Sequence, residues 1–398
     1  MIETKKDNLL IVGGGIGGLA AALGAAKAGV SSVVFEQASK FGEVGAGIQL
    51  GPNAMKALDY FGLLNEIDKV AVYPKRLVLK DIYTGKELSV LDLGDSFKKR
   101  YGYSYTVLHR SDLQKILHVA CLKTGSIELL NNQSIQEVNE TANRVTIKNQ
   151  HGKLFSGKAL IGADGLKSNI RKVFSDDEPI CSEYVAYRGT IPTSEIENAN
   201  MEDVIMWIGP NLHLVQYPVR RKELYNLVVV FKSYNYKADS DDWGTPEEME
   251  KRFAGCHPLA HHALQFIQRQ IRWPMYDRLP IDNWTKGNIT LLGDAAHPML
   301  QYLAQGGCQA LEDAAYLAEM LETQAGNYHD VFQAYQEKRI PRTAQVQTSA
   351  RLWGEIIHAI DPIPILLRDA IFEQRTPKDY EIVDFLYASK GIKSKLYN

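Results

Sequence analysis

The chain has 398 residues, 45% of them apolar and 23% charged, with a formal net charge of −2. That length supports a sizeable core shared by about two domains. The balanced charge excludes a bulk basic field for nucleic acid or an anionic membrane. Cys121, Cys181, Cys256 and Cys308 are scattered with no CxxC pair. This spacing argues against a disulfide framework or zinc knuckle and for reduced thiols in a cytoplasmic protein. No metal site is expected. Residues 1–8 are polar and carry no secretion-signal pattern. No segment has the ~18 uninterrupted apolar residues of a membrane span.

In chain order, residues 9–12 (LLIV) read as a buried strand, followed by a glycine turn with GxGxxG at Gly13, Gly15 and Gly18. An alanine-rich helix over 19–29 and a second strand over 32–35 end at Glu36. Strand, glycine turn, helix, strand and an acid about 20 residues on form a dinucleotide-binding unit. The glycines let a pyrophosphate approach the backbone, and Glu36 takes the ribose hydroxyls. Residues 45–54 (GAGIQLGPNA) are loop punctuation or a backbone lying against a flat ring. Residues 76–93 alternate as strands. Ser111 is the predicted N-cap of the next helix, and Arg110 beside it faces a phosphate or solvent.

Residues 158–163 predict another buried strand, ending at Asp164-Gly165, with Ser168 and Arg171 on the following turn. Residues 184–192 and 204–231 read as β structure. There His213, Val215 and Tyr217 share one face, and at ~3.3 Å per residue His213 and Tyr217 lie about 13 Å apart. They bracket a single-ring molecule or form a surface histidine and a core tyrosine. The polar stretch 233–262 is expected to be peripheral. A buried strand at 289–292 leads to Gly293-Asp294, a loop with His297, Pro298 and Gln301, and the pair Gly306-Gly307 at a helix start. Such a start offers free N–H groups and positive dipole to an anionic cofactor group. From Tyr328 the chain is helical, with Pro341, Pro362 and Pro364 expected to break it. Ile356, Ile357, Ile360, Ile363, Leu366 and Leu367 form an apolar cluster suited to core packing or a subunit contact.

The expected fold class is α/β, with a discontinuous cofactor domain over 1–75, 103–172 and 276–340. A β-rich substrate domain occupies 76–102 and 173–275, and a helical region 341–398. GxGxxG with Glu36, Ala163-Asp164-Gly165, and Gly293-Asp294-Ala295-Ala296-His297-Pro298 stand in order along the chain. As a set they resemble the single-component FAD-dependent aromatic hydroxylases, the p-hydroxybenzoate hydroxylase-like flavoprotein monooxygenases. The resemblance covers nearly the whole chain. It implies a Rossmann-like FAD domain with an inserted β-rich substrate domain. Gly13, Gly15, Gly18 and Glu36 would bind the ADP half of FAD, and Arg110 would lie beside its phosphates. Asp164 and Gly165 would serve FAD and pyridine nucleotide, and Asp294 the ribityl–phosphate region. Pro298, Gly306 and Gly307 would lie near the isoalloxazine ring. The implied reaction consumes NADH and O2 through a flavin C4a-hydroperoxide, and NADH visits transiently because no second GxGxxG is present.

Within the family, His213-Leu214-Val215-Gln216-Tyr217-Pro218 together with the 298–306 segment looks most like the branch that hydroxylates 3-hydroxybenzoate at carbon 6. That marks His213, Tyr217 and Gln301 as catalytic. His213, with an ordinary pKa near ~6.5, accepts or relays the phenol proton. Tyr217 orients the substrate, and Gln301 donates to the phenolate oxygen. Sister activities on salicylate, 6-hydroxynicotinate or urate are the alternative. The sequence places no carboxylate anchor; Tyr105 and Arg188 carry no assigned role. The implied assembly is a homodimer.

Overall fold

The computed structural model describes residues 2–4, 8–42, 45–141, 144–238, 240, 242–324 and 326–388. The end of the expected C-terminal region, 389–398, lies outside the described residues. The architecture is α/β, as the sequence predicts. A six-stranded sheet runs in the order Thr285–Lys286, Ile289–Leu291, Ala159–Gly162, Leu9–Val12, Ser32–Phe35, Ile127–Leu130. Its neighbours are parallel except for the edge pair 285–286 and 289–291. Every residue of Leu9–Val12, Ser32–Phe35 and Ala159–Gly162 is buried. A parallel sheet covered on both faces selects such unbroken apolar runs. Helix Ile16–Lys27 packs on helix Gly306–Thr323. A Cβ on Gly24 would stand 2.9 Å from the Ala318 Cβ and 3.0 Å from the Ala314 carbonyl oxygen. That glycine therefore sets how close the two helices come.

The second sheet has seven strands, ordered Trp273–Asp277, Ile180–Pro192, Leu224–Lys232, Leu212–Val219, Asp203–Gly209, Arg76–Asp81, Glu87–Asp92. Along Leu212–Val219 the two-residue period separates two environments. Leu212 and Leu214 enter a core with Trp207, Leu227 and Val229, while His213, Val215 and Tyr217 line a cavity. The stretch 233–262 is not peripheral. Trp243, Met249, Phe253 and Ala260 pack into that same core. Helix Pro246–Phe253 turns only Met249, Phe253 and the Glu248 side chain inward, so its composition reads polar although one face is core.

Pro341 does not break the C-terminal helix, which is continuous over Tyr328–Ile357. Arg339 and Arg342 flank the proline and both bind carboxylates of helix Gly306–Thr323, which holds the helix through the lost backbone bond. Pro362 opens helix Pro362–Gln374 at its first turn, where a proline loses nothing, and Asp361 caps it through the Ile363 N–H at 2.9 Å. Of the apolar cluster, Ile357 is buried. Ile356, Ile360, Ile363, Leu366 and Leu367 are exposed on this chain. Among the described residues no helix is long and apolar enough to cross a membrane, and no group of His, Cys, Asp or Glu could hold a metal ion.

Candidate active site

A cavity of about 960 Å³ draws its lining from both sheets. That is the upper end of the usual range for ligand sites. At the six-stranded sheet the three motif glycines have different jobs. A Cβ on Gly13 would stand 2.1 Å from the Ala163 carbonyl oxygen, and Gly13 has φ +110°. A Cβ on Gly18 would stand 1.9 Å from the Gly13 carbonyl oxygen. These two let turn, helix and strand approach one another. A Cβ on Gly15 meets nothing within 4 Å, and Gly15 lines the cavity just before helix Ile16–Lys27. The backbone there is bare toward the cavity, with the helix's first N–H groups behind it. Glu36 also lines the cavity. Its carboxylate accepts from Gly14 N and Ala38 N, both at 2.8 Å, so the acid is fixed relative to the turn.

Arg110, Asp164, Gly165, Asp294, Gly306 and Gly307 line the same cavity. Helix Arg110–Leu122 is not capped by Ser111. His109 precedes it, and the Ser111 hydroxyl bonds His109 Nδ1 at 2.6 Å instead. Asp164 accepts from Asn169 N at 2.8 Å and Ile170 N at 3.2 Å, which shapes the turn after its strand. Burial raises its pKa against those hydrogen bonds. Asp294 is exposed, on the short turn Gly293–Ala295. Gly306 and Gly307 form the first turn of helix Gly306–Thr323, and Ala304 just before it holds φ +53° while lining the cavity. A left-handed alanine costs about 1–2 kcal/mol, strain placed where the backbone is shaped for a ligand. Gly18 and Pro298 do not line the cavity. The Pro298 carbonyl accepts from Gln347 Nε2 at 3.0 Å, so Pro298 fixes the loop from behind.

The residues expected on the substrate side line the same cavity. Arg188, His213, Tyr217, Gln301 and Tyr302 all line the cavity, beside Val215, Val228 and Met299. Arg188 Nη2 donates to Gln301 Oε1 at 2.6 Å. Guanidinium has only donors, so it takes the amide oxygen and leaves the Gln301 NH2 without a partner among the described residues. Arg188 also lies over the Trp273 ring at 5.6 Å. Tyr105 donates to Gln49 Oε1 at 2.7 Å, and Gln49 lines the cavity on strand Gly47–Leu50. The glycine at 47 is explained by its neighbours. A Cβ there would stand 2.7 Å from the Tyr217 hydroxyl and from Asn226 Cγ, and Asn226 Oδ1 accepts from Gly47 N at 2.6 Å.

His213 departs from its expected chemistry. It is 2% exposed, and burial pushes its pKa down to about 3 rather than leaving it near the ordinary value. Its Nδ1 lies 2.7 Å from His358 Nε2, a partner 145 residues away that no local pattern reveals. Burial raises the Tyr217 hydroxyl above its ordinary pKa, against the Arg188 charge.

His297 belongs to the supporting structure. It bonds Asp313 at 2.6 Å, Asp313 accepts from Arg339 Nε at 2.6 Å, and Arg339 Nη1 donates to Glu312 at 2.6 Å. Burial acts to raise Asp313, but its contacts with His297 and Arg339 hold it below the usual carboxylate range. Each buried charge is matched, which such groups require. Asp313 also accepts from Gly293 N at 2.9 Å, so this network fixes the turn that carries Asp294.

The donor set fits FAD: a bare glycine turn, a fixed acid, a helix start and a roomy cleft. Comparison with known proteins agrees. A family model described as "FAD binding domain" matches residues 6–350. The chain is 39% identical to 3-hydroxybenzoate 6-hydroxylase of Polaromonas naphthalenivorans (strain CJ2), over 95% of each chain. It is 36% identical to 3-hydroxybenzoate 6-hydroxylase of Klebsiella oxytoca, over 97% of this chain and 98% of the other. Among solved structures, Klebsiella pneumoniae HpxO complexed with FAD and uric acid aligns with a TM-score of 0.83 over 93% of each chain, at 23% identity. A shared fold, a matching cofactor domain and full-length relatives that are aromatic hydroxylases lead to one assignment: the chain belongs to the FAD-dependent aromatic monooxygenases.

Proposed function

We propose that the chain uses NADH and O2 to hydroxylate 3-hydroxybenzoate at carbon 6, giving 2,5-dihydroxybenzoate (gentisate). The observation that carries this reading is the Arg188–Gln301 bond, which presents an amide donor beside His213 and Tyr217 in the cavity that Gly15, Glu36 and Asp294 also line. The relatives named 3-hydroxybenzoate 6-hydroxylase support the choice of substrate. When bound, FAD supplies electron transfer from NADH and activation of oxygen. The protein's part is to orient the ring, take its phenolic proton and exclude water.

In this reading the Gln301 amide donates to the phenolate oxygen and Tyr217 orients the ring. Arg188 meets the carboxylate, a charge pairing suited to guanidinium. His213 accepts the proton at Nε2, because Nδ1 is engaged by His358. Val215, Met299 and Val228 keep the region apolar. A 3-hydroxyl activates its para position, carbon 6, so the product follows from which ring carbon faces the flavin. Asp164, Gly165, Arg110, Gly306, Gly307 and Asp294 hold the cofactor, with Gly13, Gly18 and Pro298 shaping its frame. A cytoplasmic location would supply the NADH that this reading requires. A homodimer would cover the exposed face of Ile360, Ile363, Leu366 and Leu367.

The test is product identity. Holoenzyme with NADH, O2 and 3-hydroxybenzoate is expected to yield 2,5-dihydroxybenzoate alone. A 2,3- or 3,4-dihydroxy product would refute the carbon-6 placement. Turnover of salicylate, 6-hydroxynicotinate or urate in its stead would refute the substrate.

A further inference from the structure

We propose that His358 passes the substrate's phenolic proton from His213 toward solvent, so that the two imidazoles form one path out of the cavity. The proposal rests on the reading of His213 as the proton acceptor and adds where the proton goes next.

The geometry is that of a transfer pair. His213 Nδ1 and His358 Nε2 are 2.7 Å apart, the ring centroids are 4.9 Å apart and the ring planes differ by 19°. The centroid separation exceeds the nitrogen separation by about two ring radii. The rings therefore meet edge to edge, nearly coplanar, and not face to face. In that arrangement the N–H of one ring points along the lone pair of the other. Tyr184 lies parallel to His358 at 4.6 Å, and Tyr302 stands perpendicular to it at 5.1 Å. Tyr302 also stands across His213 at 5.7 Å. The Tyr184 hydroxyl donates to Asn211 Oδ1 at 2.9 Å, and Asn211 N donates to the His358 carbonyl at 3.1 Å. Both rings are thus held from several sides.

Among the described residues, neither ring is bonded to a carboxylate, an ammonium or a guanidinium. The titratable groups packed on the pair are Tyr184 and Tyr302, whose hydroxyls burial keeps protonated. A lasting imidazolium has no partner charge here, and burial disfavours it on both rings. A proton can still cross without one. At the start His213 carries hydrogen on Nδ1 and donates to His358 Nε2, while His358 carries hydrogen on Nδ1. The phenol gives its proton to His213 Nε2. The His213 Nδ1 proton moves to His358 Nε2, and the His358 Nδ1 proton leaves to water. One proton enters, one leaves, and both rings end neutral in the opposite tautomer. His358 is itself 4% exposed and lies at the point where the chain turns toward the surface. It follows helix Tyr328–Ile357 and is succeeded by a half-buried Ala359 and an exposed Ile360.

The experiment follows deprotonation of bound 3-hydroxybenzoate by stopped-flow absorbance in holoenzyme, with flavin reduction by NADH as an independent readout. His358→Gln separates transfer from positioning. Its carbonyl accepts from His213 Nδ1 and keeps the starting tautomer, but it passes no proton on. Deprotonation slowed about a hundredfold or more with flavin reduction unchanged supports the relay. A wild-type rate in His358→Gln overturns it. His213→Ala separates the two levels: if it is slow while His358→Gln is not, only the relay falls, and if both are fast, the acceptor reading falls as well. The unmodified enzyme provides a measurement independent of folding. A bowl-shaped dependence of the rate on deuterium fraction supports several protons in flight, and a linear one overturns the relay.

Discussion

Mild acid is expected to destabilise this protein through one buried pair. Burial pushes His213 to about 3 and holds His358 well below its ordinary pKa. In the unfolded chain both rings return to about 6.5. Above that pH the rings are neutral in both states and the pair costs nothing. Below it the unfolded chain takes up protons that the folded chain refuses, so stability falls with pH from about 6.5 toward the folded value near 3. At pH 5 the gap is about 1.5 units, worth about 2 kcal/mol for one ring at ~1.4 kcal/mol per unit. His358, held low by burial and by His213, adds in the same direction, and even one ring is a large part of a typical net stability. Asp164 and Asp277 are raised by burial and act in the opposite direction, in a window that starts at the ordinary carboxylate value. The comparison is therefore between wild type and His213→Phe/His358→Phe at each pH. Unfolding free energies of holoenzyme from urea titrations are expected to fall between pH 8 and 5 by at least about 2 kcal/mol more in the wild type. Parallel curves would refute the assignment of acid sensitivity to this pair.

Gly15→Ala and Gly18→Ala are expected to fail differently. The first adds a methyl to open cavity space and weakens flavin binding by about tenfold, or 1.4 kcal/mol, with the fold intact by circular dichroism. The second drives a Cβ to 1.9 Å from a backbone oxygen and abolishes soluble folded protein. Equal behaviour of the two would refute the division of labour. Arg339→Leu leaves Glu312 and Asp313 without their shared buried cation and is expected to cost about 3–5 kcal/mol in chemical denaturation. A loss under 1 kcal/mol would mean that His297 and Arg342 alone balance the carboxylates.

The cofactor half was readable because its signals are local. GxGxxG lies between two four-residue apolar strands, and each glycine's constraint arises within that short unit or against the next strand. The face shared by His213 and Tyr217 was readable from a period of two. What could not be read depends on contacts distant in sequence. His358 meets His213 across 145 positions, and Arg188 meets Gln301 across 113. Gly47 reads as loop punctuation until Tyr217 and Asn226 are seen against it. Pro341 reads as a breaker because its compensation comes from carboxylates near residue 312. Composition misled at 233–262, where a short helix buries two apolar side chains and shows charge elsewhere.

The strand order of the six-stranded sheet has a consequence for biosynthesis. Leu9–Val12 sits between Ser32–Phe35 and Ala159–Gly162, and Ala159–Gly162 in turn pairs with Ile289–Leu291. A chain leaving the ribosome thus carries its nucleotide-binding turn from the first moments of synthesis but has no finished site. The sheet waits for residue 291, and its covering helix waits for residue 323. At about 5–20 residues per second, the apolar strands spend on the order of 15–60 seconds without their full set of neighbours. The site for flavin is therefore complete only after about three-quarters of the chain has been translated, although its glycine turn is among the first residues made.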